Sequence, residues 1–481
     1  MDSDMRSFIA TLERAGRLRR IGKIVDRAWE PATLVKWMYQ AMPASERFAM
    51  LFEHVGGSAM PLLTAALGAS PETFALALGV EPVRINATIV DALRARIAPR
   101  TVDVAPCQEI VLRGADASLD ALPIPTWTPG KDAGPYITTI VTTRNAQNAQ
   151  HNYGVYRTQV LDAHRVALNT SPGRQGTRNV RTFHSTGKTA PVAWVVAAPP
   201  AVHIAAVANL PYGQNEMDFA GGLAGAPVEL VRCVTSDLLV PANAEIIIEG
   251  EIAVGETTLE GPFGEFAGYM GAVEERPLAR ITAITHRRDA FFYGLGSQMP
   301  PSESTMIQSL TNAGVIMKLL RDDLGDQSVS DVYIDLTFGG MLAHGIVAMT
   351  PTSPAHGKKI GRMVADVTGL KRVTVVDADI DIRDPDHVDW ALNARFNPAR
   401  DTVIIDDVFF SIYMDPSLPM DGAENVAHGS KIVIDATAKR DPGTFSLPSR
   451  ETMDRGLAVW NEIGLPPLTI PKRANLRFNR P

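Results

Sequence analysis

LEGPFGEFAGY, residues 259–269, is the stretch on which the reading of the fold turns. It sets Glu260 and Glu265 five residues apart, across Gly261, Pro262 and Gly264. A regular helix would separate such a pair by about 140°, and a regular strand would send the two side chains to opposite faces. The Gly and Pro content predicts a bend instead, one able to bring both carboxylates round a single cavity. Neighbouring acids repel, so one is driven toward its protonated form unless a cation intervenes. An ionised carboxylate can then organise a cation while a neutral one delivers a proton. Taken alone, the stretch also reads as two solvated turn glutamates.

Outward from that bend, residues 106–293 form short β-rich runs divided by Pro and Gly: Glu109 to Leu112, Tyr136 to Thr143, Tyr156 to Leu161, Val192 to Val196, Glu245 to Ile248 and Ala279 to His286. Many short strands with few long helices predict a barrel-like β domain. Before it, residues 1–105 read as helices and short strands. Phe8, Ile9 and Leu12 share one face of a first helix over residues 3–15, which Gly16 stops. After the β domain, MPPSESTMIQSLTNAGVIMKLLRDD predicts a turn and a linking helix over 301–325, capped by Ser302 or Ser304. Its apolar positions include Ile307, Leu310, Val315 and Leu319. From 326 to 481, apolar strands such as Asp331 to Leu336 and Arg372 to Val376 alternate with helical stretches around Ile360 to Val367 and Val388 to Ala394. That alternation is the pattern of an α/β domain, so the chain as a whole reads as a multidomain α/β (α+β) protein with domains at 1–105, 106–300 and 326–481.

Bulk composition bounds the function. The chain has 481 residues, 45% of them hydrophobic, enough for two or three domains. A net charge of −7 disfavours nucleic acid and anionic membranes as partners, so any cationic site must be local. Cys107 and Cys233 stand far apart without His or Cys at ligand spacing, which argues against zinc, iron–sulfur and disulfide frameworks. The N-terminus opens on Asp2 and Asp4 rather than a basic region followed by an apolar one, so no secretory signal is expected. Pro199, Pro200 and His203 break the most apolar segment, Pro191 to Leu210, before it could span a membrane. A cytoplasmic enzyme is the expectation.

Three further constellations bear on chemistry. Between Asp162 and Glu216 no acid occurs, whereas Arg165, Arg174, Arg178, Arg181 and Lys188 all fall there. The glycines of SPGRQGTRN let backbone amides approach an anion, so a phosphate is the expected guest and a plain basic surface loop the alternative. In HNYGVYRTQV, Asn152 and Arg157 stand five apart at the entry to a strand. Arg157 offers a planar fork suited to the substrate's acid group or to one of the glutamates. Asp377, Asp379 and Asp381 alternate in VVDADIDIRDP, but the turn Gly and distal Glu of a calcium loop are not in place, and strand-end capping is expected. GLGSQMP lacks the third glycine of a dinucleotide fingerprint.

Together and in this order, these features resemble the UbiD family of reversible decarboxylases. The likeness runs through APCQEIV, LDALPIPTW, DAGPYIT, NYGVYRTQV, DLLVPANAEIIIEGEI, EGPFGEFAGY, the Pro-Pro-Ser-Glu turn at 300–303, VVDADIDIRD and KIVIDAT. EGPFGE and VPANAEIIIEGEI are the most specific.

The resemblance implies a central split β-barrel that binds prenylated FMN, flanked by an N-terminal α/β region and a C-terminal α/β domain that helps form a homodimer or higher homo-oligomer. It implies a catalytic triad of Glu260, Arg157 and Glu265, with Glu265 the proton donor that replaces CO2. It implies a divalent metal, Mn2+ or Mg2+, at the flavin phosphate, with K+ a further candidate cation. Asn152 and Glu216 match two ligand positions. The third, a His in the family, aligns with Gln175, with His184 the nearest downstream imidazole. A Gln carbonyl suits a hard cation but carries no charge. The cofactor neighbourhood implied is Asn152, Tyr153, Gly154, Val155, Tyr156, Arg157, Arg174, Gln175, Asn209, Leu210 and Glu216, with Phe266, Met270, Leu210 and Met299 as pocket walls for a flat apolar acid. A flavin prenyltransferase would supply the cofactor, and a small aromatic or unsaturated carboxylic acid and CO2 would be the reaction partners. Two rival readings are a flavin-free metal-dependent lyase or hydrolase using Asn152, Glu216 and the two glutamates, and a non-catalytic assembly subunit.

Overall fold

The computed structural model describes residues 1–170, 173–337, 344–411, 416–418, 426–441, 443 and 446–468. The chain divides into two compact units, the first holding Met1–Lys318 and the second most of the chain from Leu319 onward.

The first unit is organised round a closed barrel. Six antiparallel strands follow one another in the order Ile246–Ile252, Ala190–Val196, Tyr136–Arg144, His151–Val160, Arg165–Leu168 and Glu274–His286, and the last pairs back onto the first. Closure leaves none of the six with an unpaired edge. The sequence pattern marks five of these strands. Arg165–Leu168, only four residues long and inside the basic stretch, is the one it does not resolve.

Apolar burial holds the barrel together. Trp194, Ile140, Val166, Ile248 and Ala279 are fully or almost fully buried, and a side chain of that class is worth about 1.5–3 kcal/mol when buried. Trp194 is also polar-satisfied, its indole N–H donating to Thr158 Oγ1 at 2.8 Å.

Two strands do more than close the barrel. Glu274–His286, at 13 residues, outruns its barrel neighbours and pairs through its first four residues with Thr257–Glu260, so that Glu260 sits directly opposite Glu274. His151–Val160 pairs with Tyr136–Arg144 in an unbroken register from His151 to Gln159 and carries both Asn152 and Arg157.

The N-terminal elements belong to the same unit. The first helix is Met5–Arg14, capped by Asp4, whose side chain accepts from Ser7 N, and it buries Met5, Phe8, Ile9 and Leu12. Such a cap is worth about 1 kcal/mol. A small sheet follows in the order Leu18–Ile21, Ala49–Phe52, Leu62–Thr64 and Phe292–Tyr293, so the chain leaving the barrel returns to the N-terminal sheet. The helix Glu303–Lys318 comes next. Of the two expected caps, Ser302 and Ser304, it is Ser302 that accepts from Thr305 N, at 3.4 Å.

The second unit is an α/β domain. Its sheet runs Val329–Ile334, His344–Met349, Arg372–Asp377, Val426–Ala436 and Thr402–Ser411, with the central three strands parallel and the first antiparallel to its neighbour. Ile346, Val376, Ile380, Val388 and Ala436 form one of its cores. Asp377 and Asp379 are engaged by Arg395, at 2.5 and 2.8 Å, and Asp381 caps Arg383 N at 3.1 Å. These aspartates therefore close a strand end and fix a helix. Among the described residues no single helix is long and apolar enough to cross a membrane.

Candidate active site

The bend at 259–269 forms as its composition requires. Gly261 has φ +101°, a conformation L side chains rarely adopt, and a Cβ there would stand 2.4 Å from Ala272 O. A short hairpin, Phe263–Gly264 with Met270–Gly271, follows at once. Asp132 pins it, accepting from Gly264 N at 2.8 Å with one oxygen and from Thr128 N at 2.6 Å with the other. Glu260 ends the strand before the turn, and Glu265 lies just beyond its first hairpin residues.

Arg157 joins the two glutamates. Its Nε and Nη2 donate to the two oxygens of Glu260 at 2.8 and 2.9 Å, and its Nη1 donates to Glu265 Oε1. Glu260 is fully buried and also accepts from Asn169 Nδ2 at 2.8 Å. The guanidinium lies 5.0 Å from the centroid of Phe263, an added attraction for its charge. Burial opposes the charge of Arg157, yet Glu265 and Glu260 hold its pKa above the ordinary arginine value. Burial pushes the Glu265 carboxyl up, Arg157 pulls it down, Glu260 pushes it up and Arg276 pulls it down, for a net rise. Burial and Glu260 thus favour the neutral form of Glu265, while Arg157 and Arg276 favour the ionised one.

The second group of expected residues gathers five positions earlier on the same strand, about 17 Å away at the strand's ~3.4 Å rise. Asn152 Nδ2 donates to Glu216 Oε1 at 2.7 Å, and Tyr156 Oη donates to Asn152 Oδ1 at 3.1 Å. Gly176 N, one residue after Gln175, donates to Tyr156 Oη at 3.4 Å. Tyr156 fits here because its neighbours are glycines. A Cβ on Gly154 would stand 2.9 Å from its ring, and one on Gly176 3.1 Å.

Glu216 opens the helix Glu216–Ala224. Its Oε2 is buried with no hydrogen-bond partner, and burial pushes its carboxyl up to about 7. An orphaned, desolvated oxygen of this kind fits a cation ligand.

The remaining candidates are placed as follows. Gln175 begins the helix Gln175–His184, preceded by the exposed Arg174; burial pushes the Tyr156 hydroxyl up, and the Arg174 charge opposes that rise without reversing it. His184 sits at the other end of that helix, about 13 Å along the axis, with Nε2 at 3.1 Å from Ile252 O, so the helix brings Gln175 and not His184 to the Asn152 side. Tyr153 is buried with its hydroxyl on Leu239 O at 3.0 Å, a packing role for its side chain. Val155 and Leu210 are partly buried, and Asn209 is exposed with its backbone N–H on Asn312 Oδ1 at 2.7 Å. Among the expected pocket walls, Phe266 and Met270 are partly buried and Met299 is 56% exposed, against the turn at Gly268. Ser171 and Pro172 of SPGRQGTRN lie outside the described residues. Among those described, no group of three or more His, Cys, Asp and Glu side chains forms a metal cluster. Asn169 and Asp132 were not singled out by sequence. Each ends or precedes a strand as an ordinary turn residue would, and only the pairing of distant strands sets them at the site.

Family models match almost all of this architecture. The 3-octaprenyl-4-hydroxybenzoate carboxy-lyase N-terminal domain matches residues 9–93, its Rift-related domain 100–299, and its C-terminal domain 305–436. The UbiD-class enzyme HmfF from Pelotomaculum thermopropionicum, solved in complex with FMN, is 31% identical. The match covers 95% of this chain and 100% of HmfF, with a TM-score of 0.83. The chain belongs to the UbiD family. An evolved dimeric form of the same enzyme in complex with prFMN matches at 30% identity and TM-score 0.81, over 94% of this chain and 98% of that one. The vanillic acid decarboxylase of Sedimentibacter hydroxybenzoicus, in closed form, matches at 26% identity and TM-score 0.81, over 96% and 99%. This UbiD protein is accordingly a carboxy-lyase built on a closed six-stranded barrel with flanking N- and C-terminal domains.

Proposed function

We propose that this chain is a prenylated-FMN-dependent decarboxylase of a small aromatic, heteroaromatic or α,β-unsaturated carboxylic acid, with Glu265 as the proton donor. The observation that carries this reading is the single guanidinium, Arg157, shared between a fully buried Glu260 and a largely buried Glu265.

Loss of CO2 from an unsaturated carbon leaves an electron pair that no side chain accepts well, and the prenylated flavin, when bound, supplies that electron sink. The chain's own residues do the rest. Glu260, held by Asn169, fixes the guanidinium of Arg157 in one plane. Arg157 orients the substrate carboxylate through Nη1, the one arm not committed to Glu260, once Glu265 is neutral. Glu265 delivers its proton to the carbon that CO2 leaves, and the carboxylate so formed returns to Nη1. Gly271 leaves room for this exchange, since a Cβ there would stand 3.0 Å from Glu265 Oε1.

Asn152, Gln175 and Glu216 would hold a hard divalent cation, Mn2+ or Mg2+, at the flavin phosphate, with the basic stretch round Arg174 supporting that phosphate and K+ a further candidate cation. The orphaned Oε2 of Glu216 supports this assignment. A homodimer in the cytoplasm, supplied with cofactor by a flavin prenyltransferase, completes the proposal.

The test is to produce the protein together with a flavin prenyltransferase, record its visible spectrum, and screen benzoic, heteroaromatic, polycyclic and acrylic acids for CO2 release. Turnover by coloured protein and none by colourless protein is the expected result. Equal turnover by colourless, metal-loaded protein would replace this reading with that of a flavin-free metal lyase.

A further inference from the structure

The proton-transfer site does not end at the triad. Thr257–Glu260 pairs with Glu274–His286 so that Glu260 faces Glu274 and Thr258 faces Arg276. Directly opposed residues of an antiparallel pair share a face, and so do residues two apart on one strand. Glu260, Glu274 and Arg276 therefore lie on one face. Leu259 and Glu275, on the opposite face, are exposed. Glu274 and Arg276 are mostly withdrawn from solvent, at 15% and 20% side-chain exposure, and form an ion pair through Arg276 Nη2 and Glu274 Oε2.

Like charges set directly opposite on neighbouring strands repel. Glu260 and Glu274 are such a pair, and each carries its own arginine, Arg157 and Arg276. The whole cluster then holds three glutamates (260, 265 and 274) and two arginines. One negative charge is left over when all are ionised, and that excess vanishes when one glutamate takes a proton. The geometry points to Arg276 as a second positioning cation of the proton-transfer site: by neutralising Glu274 it leaves Glu265 as the member that carries the exchangeable proton. This rests on the reading of Glu265 as the proton-transferring group and names a residue that tunes it.

Arg276 also acts on Glu265 directly. Burial raises that carboxyl and Arg157 lowers it; Glu260 raises it and Arg276 lowers it. Other charged or titratable groups close by are Asp132, behind the backbone of Gly264, and Tyr136, near Glu260. Their elements are separate from the strand bearing Arg276, so substitutions at 274 and 276 leave them in place.

The experiment is an infrared pH titration of the full-length protein produced with a flavin prenyltransferase. The neutral-carboxyl band of Glu265 is assigned by its loss in Glu265→Gln, and thermal melting checks that each variant is folded. Arg276→Gln is expected to move the midpoint to higher pH, because a cation that lowers the Glu265 carboxyl is lost. Glu274→Gln is expected to move it to lower pH, because a negative charge leaves the cluster while Arg276 stays. Arg276→Lys keeps the charge and is expected to stay nearer wild type than Arg276→Gln. Midpoints that remain at the wild-type value in both Arg276→Gln and Glu274→Gln, or that move in the same direction, overturn the proposal. Should Arg276→Gln not fold, the direction of the Glu274→Gln shift decides by itself. The midpoint needs no turnover, so a protein that shows these shifts but releases no CO2 would refute the decarboxylase reading and not this one.

Discussion

Replacing Arg157 by Met should destabilise the protein by about 3–5 kcal/mol, the usual consequence of stranding one partner of a buried ion pair. Glu260 has no solvent exposure and loses the two hydrogen bonds, at 2.8 and 2.9 Å, that Arg157 provides. Asn169, at 2.8 Å, is the hydrogen-bond partner that stays with it. The penalty comes from the stranded charge rather than from a lost net attraction, so removing the charge as well should reverse it. Arg157→Met combined with Glu260→Leu fills similar volume without ions, and such replacements are often neutral or stabilising. The double variant should therefore recover most of the loss, with a coupling energy of about 3 kcal/mol, at the upper end for contacting residues. Urea unfolding followed by the fluorescence of the buried Trp127 and Trp194 reads this directly. Neither variant should decarboxylate, because the cation is absent from both. A double variant as unstable as the single one, or one that still turns over, would refute the reasoning.

Two other perturbations test separate parts of the account. His203 is fully buried, neither ring nitrogen has a hydrogen-bond partner among the described residues, and burial pushes its pKa down to about 3 from the ordinary 6.5. A depressed folded-state pKa gives stability that is complete above 6.5 and lost as the pH falls toward 3, at about 1.4 kcal/mol per unit. His203→Met should thus gain about 2 kcal/mol on wild type between pH 7.5 and pH 5, visible as a flatter pH dependence of the unfolding midpoint. At the cation site, Mn2+ at a hundred times its dissociation constant should stabilise wild type by about 2.7 kcal/mol and leave Glu216→Gln unmoved. Gln175→His should shift preference toward Co2+ and Zn2+, since imidazole suits softer metals than an amide oxygen does. Thermal-shift titrations with each ion check both outcomes.

The barrel was legible because its strands alternate or run apolar between Pro and Gly, and that signal reaches its limit at Arg165–Leu168, where four residues between charged and polar neighbours give no period to read. Spacing alone could not bring Glu260 and Glu265 together, since neither regular geometry does so; the positive φ of Gly261 is what reconciles them. Arg157 was legible as a planar cation with two possible partners, and the structure gives it both glutamates. Asn169 and Asp132 were invisible for a common reason. Each acts across strands far apart in sequence, and a single sequence carries no record of which strand lies opposite which. Gln175 shows the reverse case: the sequence left Gln175 and His184 open, and ten residues of helix separate them by most of its length.

The most direct test of the proton-donor role is the isotope content of the product when cofactor-loaded protein decarboxylates an accepted acid in D2O. Wild type should place one solvent-derived deuteron on the carbon that bore the carboxylate, with one CO2 released per product. Glu265→Gln, retaining its flavin absorbance, should give neither. Deuterated product formed by the Gln variant at the wild-type rate would show that the proton comes from elsewhere and contradict the account.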